Sequence, residues 1–294
     1  MDAVLVGEAM LELSREGEHW RMGYGGDTLN TAIHMARAGI RTGYFTAVGS
    51  DPFSREMIRD WAAEGLDLSL VMTHPSRNSG LYAIETDADG ERSFTYWRDS
   101  AAAREMFALP DAGGAIERAR EASLLSFSLI TLAILPAAAR EMLLALARTF
   151  RERGAAVAFD GNYRPRLWES VEEARFARDQ AIACATIGLP TFEDEAALSG
   201  DGSPDAVARR WNALGCAEVV VKLGAEGCRL PDGRICAPPA ELRPVDTSGA
   251  GDAFNGGYLS ARMKGAGVDE AALAGHALAG WTIMRRGAIP PRGD

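Results

Sequence analysis

A run of small, hydroxyl-bearing and acidic residues near the C-terminus has the composition of a phosphate site. Residues 246–252 read DTSGAGD and open an apolar-periodic segment that predicts a helix to about Met263. Glycine lets the backbone approach a ligand, and the free amides of a helix N-terminus suit a phosphate oxyanion. Asp252 falls in the first turn, where a carboxylate can accept a proton from a substrate hydroxyl. The alternative is a helix that Thr247 or Ser248 caps, with small residues for close packing.

A second glycine-rich turn precedes a predicted helix near the N-terminus. Gly25 and Gly26 stand directly before a segment from Asp27 to Gly39 whose apolar residues recur at helical spacing. The glycine pair lets a ligand lie against the backbone, and Asn30 falls in the first turn. Taken alone, this segment is better explained by an ordinary turn followed by a polar surface asparagine.

A third motif combines lysine and glycine at the end of a predicted strand. Lys222 lies next to the end of the strand predicted at 218–223, and Gly224 and Gly227 lie in the turn beyond it. Such a turn can follow a nucleotide without obstruction by side chains, but a plain strand-to-hairpin connection is an equally good interpretation. The sequence has neither the P-loop pattern nor GxGxxG after the first strand, which disfavours those two nucleotide-binding folds.

The elements that position these residues alternate between strands and helices. Strands are predicted at 3–11, 43–49, 82–86, 93–97, 123–127, 155–160, 184–189 and 218–223, and helices at 27–39, 51–65, 135–153, 168–183, from 191 with a capping box, 204–214, from 249 and from 269. This order predicts one three-layer α/β/α domain over 1–294 with a mostly parallel central sheet, whose ligands bind beyond the strand C-terminal ends. Residues 87–90 predict a hairpin turn, and segments of about 10–24 and 79–100 predict a small β lid.

Composition excludes several classes of protein. The chain has 294 residues, 47% of them apolar, and a formal net charge of −10, which argues against general nucleic-acid binding. Apolar runs fall short of the ~18 residues of a membrane span, and the N-terminus enters a strand without a basic leader, so a cytoplasmic protein is predicted. The four cysteines and four histidines lack metal-ligand spacing, so a zinc site is disfavoured. Cys228 and Cys236 lie symmetrically about Asp232 in a predicted hairpin and are expected to be free thiols.

The first two motifs together resemble the two signatures of the ribokinase-like (PfkB) carbohydrate kinases, in the same order and at opposite ends of the chain. The resemblance implies a ribokinase-like fold, with ATP and Mg²⁺ as cofactors and a monovalent cation as an option. It implies that Asp252 is the general base, that Gly249, Ala250 and Gly251 form the anion hole, and that Gly26 and Asn30 contact the sugar.

The resemblance also implies a nucleotide site. Its predicted members are Asn162, Lys222, Gly224, Gly227, Thr247, Gly249 and Gly251. His276 falls near the position that contacts the adenine, although a structural histidine is an equally good interpretation. Glu195 matches the glutamate of an Asn-x-x-Glu motif that orders magnesium and its waters, but Phe192 stands where that motif has Asn, and a surface glutamate is the alternative.

Tyrosine and arginine at the lid and at a strand end favour an acidic sugar. Tyr82, Tyr96 and Arg98 lie in the predicted lid strands, and Arg164 follows the strand at 155–160. Two arginines could converge on one carboxylate, which the guanidinium binds in a bidentate manner. Arg166 competes with Arg164, and ordinary surface arginines are the alternative. Residues 94–102, 128–135, 160–168 and 190–195 resemble one branch of the family, the 2-keto-3-deoxygluconate kinases.

The resulting prediction is ATP-dependent phosphorylation of the terminal hydroxyl of 2-keto-3-deoxygluconate. Gly26, Asn30, Tyr82, Tyr96, Arg98, Arg164 and Asp252 are expected around the sugar acid. The alternatives are a kinase of the same fold for a neutral sugar such as ribose or fructose, and a non-catalytic sugar-acid sensor. No nucleic acid or membrane is expected as a partner, and a homo-oligomer formed through the lid is an option.

Overall fold

The computed structural model describes residues 1–86 and 92–292. The turn predicted at 87–90 lies outside the described residues. Strands are β1 Ala3–Val6, β2 Met10–Glu16, β3 His19–Gly25, β4 Thr42–Val48, β5 Val71–Thr73, β6 Gly80–Thr86, β7 Arg92–Trp97, β8 Leu124–Ser128, β9 Ala156–Asp160, β10 Ile187–Gly188, β11 Glu218–Val219, β12 Val221–Lys222, β13 Cys228–Arg229 and β14 Ile235–Cys236. Helices are α1 Asp27–Arg37, α2 Pro52–Ala63, α3 Ala112–Ala119, α4 Leu129–Ile134, α5 Ala137–Glu152, α6 Val171–Cys184, α7 Phe192–Ser199, α8 Pro204–Ala213, α9 Ala250–Met263 and α10 Val268–Ile283.

A seven-stranded sheet forms the centre of the molecule, and its strand pairs are parallel. The strand order is β11-β10-β9-β8-β1-β4-β5. Alternate residues of β1 enter different cores because side chains of a strand point to opposite faces. Val4 and Val6 pack with α3–α8, whereas Ala3 and Leu5 pack with α1, α2, α9 and α10. The three-layer α/β/α prediction is therefore confirmed.

A four-stranded sheet lies outside the central sheet. Its order is β3-β2-β6-β7, with β2 parallel to β6 and the two outer pairs antiparallel. The strand predicted over 3–11 is in fact two strands, because the chain leaves β1 at Gly7 and begins β2 at Met10 in this second sheet. β12, β13 and β14 form a third, antiparallel sheet.

Other boundaries differ from the sequence predictions for local reasons. The helix predicted over 135–153 is α5, and Pro136, which lacks an amide hydrogen, separates it from the short helix α4, which was not predicted. Cys184 ends α6 and does not begin a strand. The Thr191 hydroxyl accepts no cap hydrogen bond from the described residues, so the predicted capping box does not form. Within the described chain, no helix is long and apolar enough to cross a membrane.

Candidate active site

Asp252 and Asn30 meet where the N-termini of α9 and α1 come together. Asn30 Nδ2 donates a hydrogen bond to Asp252 Oδ2 at 2.8 Å across 222 residues of sequence. Thr31 Oγ1 donates to the main-chain carbonyl of Asp252 at 3.2 Å. The two glycine-rich motifs of the sequence therefore form one site at the carboxyl edge of the central sheet.

The environment of Asp252 raises the pKa of its carboxyl to near neutral pH. Withdrawal from water raises the pKa of Asp252 to about 7, and negative charge on Asp27 contributes in the same direction. The hydrogen bond from Asn30 and the ammonium of Lys222 oppose this rise in pKa. A carboxyl with a pKa near the working pH is well suited to accept a proton from an alcohol and to release it afterwards.

The turn before α9 is held by a buried aspartate that sequence reasoning did not single out. Asp246 accepts hydrogen bonds from the amides of Ser248 and Gly287, both at 2.8 Å. The N-cap is Gly249, with φ of 69°. It is neither Thr247 nor Ser248, the two caps considered from the sequence. A Cβ on Gly249 would lie 2.4 Å from the Ala288 Cβ, so only glycine fits.

The start of α9 gathers positive electrostatic potential. Ala250 and Gly251 are the first two residues of the helix, where backbone amides lack intrahelical acceptors. A Cβ on Gly251 would lie 3.6 Å from Lys222 Nζ, so the ammonium group is beside the helix N-terminus. The predicted anion-hole residues and Lys222 are thus brought together.

Lys222 belongs to a buried polar cluster at the ends of β9 and β12. Its Nζ donates to Asp160 Oδ2 at 3.0 Å and to Asn255 Oδ1 at 3.2 Å. Asn255 Nδ2 donates to the same Asp160 oxygen at 2.7 Å. Asn162, which was predicted at the nucleotide, donates to Asp27 Oδ2 at 3.2 Å. Asp27 and Asn255 are site residues that sequence reasoning did not assign.

This cluster fits a hard cation. Asp160 Oδ1 is buried and has no hydrogen-bond partner among the described residues. Burial raises the pKa of Asp27, and negative charge on Asp160 contributes to that rise. Carboxylate oxygens that lack donors are the ligand type that Mg²⁺ takes. Asp160 is therefore suited to hold magnesium or its waters, and Asp27 adds negative charge beside it.

Arg98 is buried rather than solvent-exposed, and it has an internal counter-ion. Only 8% of Arg98 is exposed, and its guanidinium donates to the Glu8 carboxylate, which is also buried. Its Cζ lies 5.8 Å from the centroid of the Tyr96 ring, which is 5.9 Å from the Tyr82 ring. Part of the charge that was predicted to meet a substrate carboxylate is thus already neutralised by Glu8.

The Tyr82 hydroxyl reaches the turn before α1. This hydroxyl donates to the Glu12 carboxylate. A Cβ on Gly25 would lie 2.4 Å from the Tyr82 hydroxyl oxygen. Gly26 has φ of 152°, and a Cβ there would lie 2.2 Å from the Glu8 carbonyl oxygen. The predicted sugar contacts Gly26, Asn30, Tyr82, Tyr96 and Arg98 therefore line one continuous region between α1 and the four-stranded sheet.

Arg164 stands further out, on the loop after β9. Its side chain is 52% exposed, and Nη1 donates to the Tyr163 carbonyl at 2.7 Å and lies 3.3 Å from Asp194 Oδ1. Arg166 is exposed in the next turn. Asp194 on α7 therefore orients the Arg164 side chain.

One oxygen of the Glu195 carboxylate is held in an internal ion pair. Glu195 has no exposed surface, and its Oε2 accepts from Nη1 of the buried Arg178 at 2.8 Å. Burial raises the pKa of Glu195 to about 7, and the positive charge of Arg178 opposes that rise. Its other oxygen, Oε1, has no hydrogen-bond partner among the described residues, and a Cβ on Gly161 would lie 3.0 Å from it, so the role in ordering magnesium stays a prediction. Asp194 is the neighbouring carboxylate that retains exposed surface.

The remaining predicted nucleotide contacts divide into exposed and structural residues. Gly224 is exposed in a short turn, and Thr247 is exposed before α9. Gly227 serves packing, because a Cβ there would lie 2.1 Å from the Cys236 carbonyl oxygen. His276 is buried on α10, with Nε2 2.9 Å from that same oxygen and its ring 5.1 Å from the Phe254 ring.

Comparison with known proteins gives consistent likenesses. The model of the pfkB family of carbohydrate kinases matches residues 1–293. The chain is 42% identical over 297 residues to a 2-dehydro-3-deoxygluconokinase of Dickeya dadantii, covering 98% of this chain and 96% of that protein.

Solved structures give the same fold. A PfkB protein from Polaromonas sp. JS666 matches with a TM-score of 0.84 and 31% identity, over 95% of this chain and 94% of that chain. The aminoimidazole riboside kinase of Salmonella enterica, solved with aminoimidazole riboside and an ATP analog, matches with a TM-score of 0.82 and 26% identity, over 98% and 95% of the two chains.

Proposed function

This chain belongs to the pfkB family of carbohydrate kinases, and we propose that it transfers the terminal phosphoryl group of ATP to the terminal hydroxyl of 2-dehydro-3-deoxygluconate, the compound also called 2-keto-3-deoxygluconate. The family and the ribokinase-like fold predicted from the sequence are confirmed. The substrate assignment rests on likeness to kinases of that sugar acid and on the arginines near the site.

The observation that carries the proposal is the hydrogen bond from Asn30 to Asp252. It fixes Oδ2 of a carboxyl whose pKa is about 7 in the first turn of α9. When the sugar hydroxyl attacks the terminal phosphorus, its proton passes to Asp252. The bond from phosphorus to the bridging oxygen of ATP breaks, and ADP leaves with that electron pair.

Charge on the transferring group is stabilised by the start of α9. Fixed positive potential comes from the amides of Gly249, Ala250 and Gly251 and from the Lys222 ammonium. It stabilises the negative charge on the phosphoryl group during transfer. When bound, Mg²⁺ would neutralise charge on the nucleotide phosphates, and Asp160 is suited to hold it or its waters.

Recognition of the sugar acid is assigned to the region between α1 and the four-stranded sheet. Tyr82 and Tyr96 supply a wall of two rings, and Arg98 supplies a buried cation behind Tyr96. Arg164 supplies a second cation from the loop after β9. The four-stranded sheet serves as a lid that excludes water, so that ATP is not hydrolysed in place of transfer.

A neutral sugar is the second candidate substrate. The buried pair of Arg98 and Glu8 favours it, because Glu8 already neutralises the guanidinium that would otherwise bind a carboxylate. In that case Arg98 supports the wall of the site and does not contact the substrate.

A coupled ADP-release assay separates the candidates. ADP release is measured with Mg²⁺ and ATP, and with 2-dehydro-3-deoxygluconate, ribose or fructose at equal concentrations, against a control without sugar. Turnover with the acid alone supports the proposal. Turnover with ribose or fructose alone keeps the kinase and rejects the acid. Absence of turnover with all three rejects the proposed function.

A further inference from the structure

Two cysteines of the β13–β14 hairpin meet a histidine of α10 that lies 40 residues further along the chain. Cys228 on β13 and Cys236 on β14 are direct partners across the antiparallel pair, and His276 faces them from α10. One ligand atom of each residue lies within 4.8 Å of the others. The catalytic steps proposed above use none of these three groups.

The geometry points to a metal site in which the Cys228 thiolate, the Cys236 thiolate and the His276 imidazole bind a zinc-class ion. In tetrahedral zinc sites, Zn–S of about 2.3 Å and Zn–N of about 2.0 Å place sulfur and nitrogen about 3.5 Å apart. The distance from Cys228 Sγ to His276 Nε2 is 3.5 Å. Zinc prefers thiolate and imidazole ligands, whereas magnesium and calcium prefer oxygen ligands.

The fold holds all three side chains before any ion binds. Strand register fixes the two cysteines opposite each other, and Gly227 allows the β14 backbone to approach closely. His276 packs 5.1 Å from the Phe254 ring, which orients the imidazole toward the strands. Because the folded chain already brings the three ligands together, ion binding needs little rearrangement of the side chains.

The ligand set leaves room for a fourth ligand. Cys228 and His276 are buried, whereas Cys236 is partly exposed, so one side of the set faces the solvent. Binding releases one proton from each thiol. It also places the imidazole proton on Nδ1, so that Nε2 exchanges its contact with the Cys236 carbonyl oxygen, now 2.9 Å away, for the ion. The bound ion would join the β13–β14 hairpin to α10.

Zinc and cobalt binding test the site directly. Metal-free protein kept under TCEP is titrated with Zn²⁺ in competition with a chromophoric chelator, and with Co²⁺ while the absorption spectrum is recorded. We expect one equivalent of Zn²⁺ with a Kd below about 1 µM, and a cobalt spectrum with thiolate charge transfer and tetrahedral d–d bands. The same ion should raise the Tm of the wild-type protein.

Matched variants identify the ligands. Cys236→Ser should weaken zinc binding by at least about 100-fold, because loss of an outer-shell partner alone costs about 10–100-fold. His276→Gln should do the same, whereas Cys184→Ser, in the opposite core, should bind like the wild type. The proposal is overturned if the reduced wild-type protein binds no zinc at this affinity, or if Cys236→Ser and His276→Gln both bind as tightly as wild type.

Discussion

Removal of the Asn30 side chain should move the pH dependence of catalysis to higher pH. The Asn30 amide donates to the Asp252 carboxylate at 2.8 Å and so lowers its pKa, which nevertheless stands at about 7. A hydrogen bond to a charged group is worth about 1.5–3 kcal/mol, and one pKa unit corresponds to about 1.36 kcal/mol. Because water can partly replace the lost donor, Asn30→Ala should raise the pKa of Asp252 by about 1 unit, the lower end of that range.

The assay is kcat/KM against pH, which reports the pKa of the free enzyme. With a midpoint near 8 in place of 7, about a tenth of the Asn30→Ala carboxyl is ionised at pH 7, against about half in the wild type. The variant should therefore lose about fivefold at pH 7 beyond any loss that persists at pH 9. Thr31→Val is the matched control, since Thr31 donates to the main-chain carbonyl of Asp252. An unchanged midpoint in Asn30→Ala would refute the reasoning.

Three further predictions concern buried charge. The pKa of Asp252 in the folded protein, about 7, exceeds its ordinary value of 3.8. Ionisation of Asp252 therefore opposes folding above about pH 4, and this destabilisation is complete above about pH 7. Asp252→Asn should raise Tm by a few degrees at pH 8 but not at pH 4. In urea unfolding, Arg98→Ala should lose about 3–5 kcal/mol by isolating Glu8, whereas the Glu8→Gln/Arg98→Met double variant should lose much less; equal losses would contradict this pairing. Glu195→Gln should lower Tm, because Arg178 loses its counter-ion, and an unchanged Tm would contradict the importance of this ion pair; a shift in the Mg²⁺ concentration that gives half-maximal turnover would support the predicted role of Glu195 in ordering magnesium.

Features encoded in short stretches of sequence could be predicted. The Gly25–Gly26 pair before α1 and the DTSGAGD run before α9 each combine backbone freedom with a nearby polar side chain, and both lie in the site. The alternation of strands and helices gave the three layers for the same reason, since periodicity is local.

Pairings between distant residues could not be predicted. Glu8 meets Arg98 across 90 residues, so Arg98 was expected to be free for a substrate carboxylate; Arg178 meets Glu195 through a contact between α6 and α7 that no local pattern indicates. Cys228 and His276 are 48 residues apart and match no metal-binding spacing, yet their ligand atoms are in contact. The strand predicted over 3–11 was wrong because its apolar pattern continues through Gly7, where the backbone moves to another sheet.

The central claim is that Asp252 accepts the hydroxyl proton, and turnover of Asp252→Asn tests it most directly. Steady-state turnover is measured with 2-dehydro-3-deoxygluconate and ATP, and binding of both is measured by calorimetry. The account predicts that kcat falls by a factor on the order of 10² or more, while both dissociation constants stay within about threefold of wild type. Turnover near the wild-type rate would contradict the account.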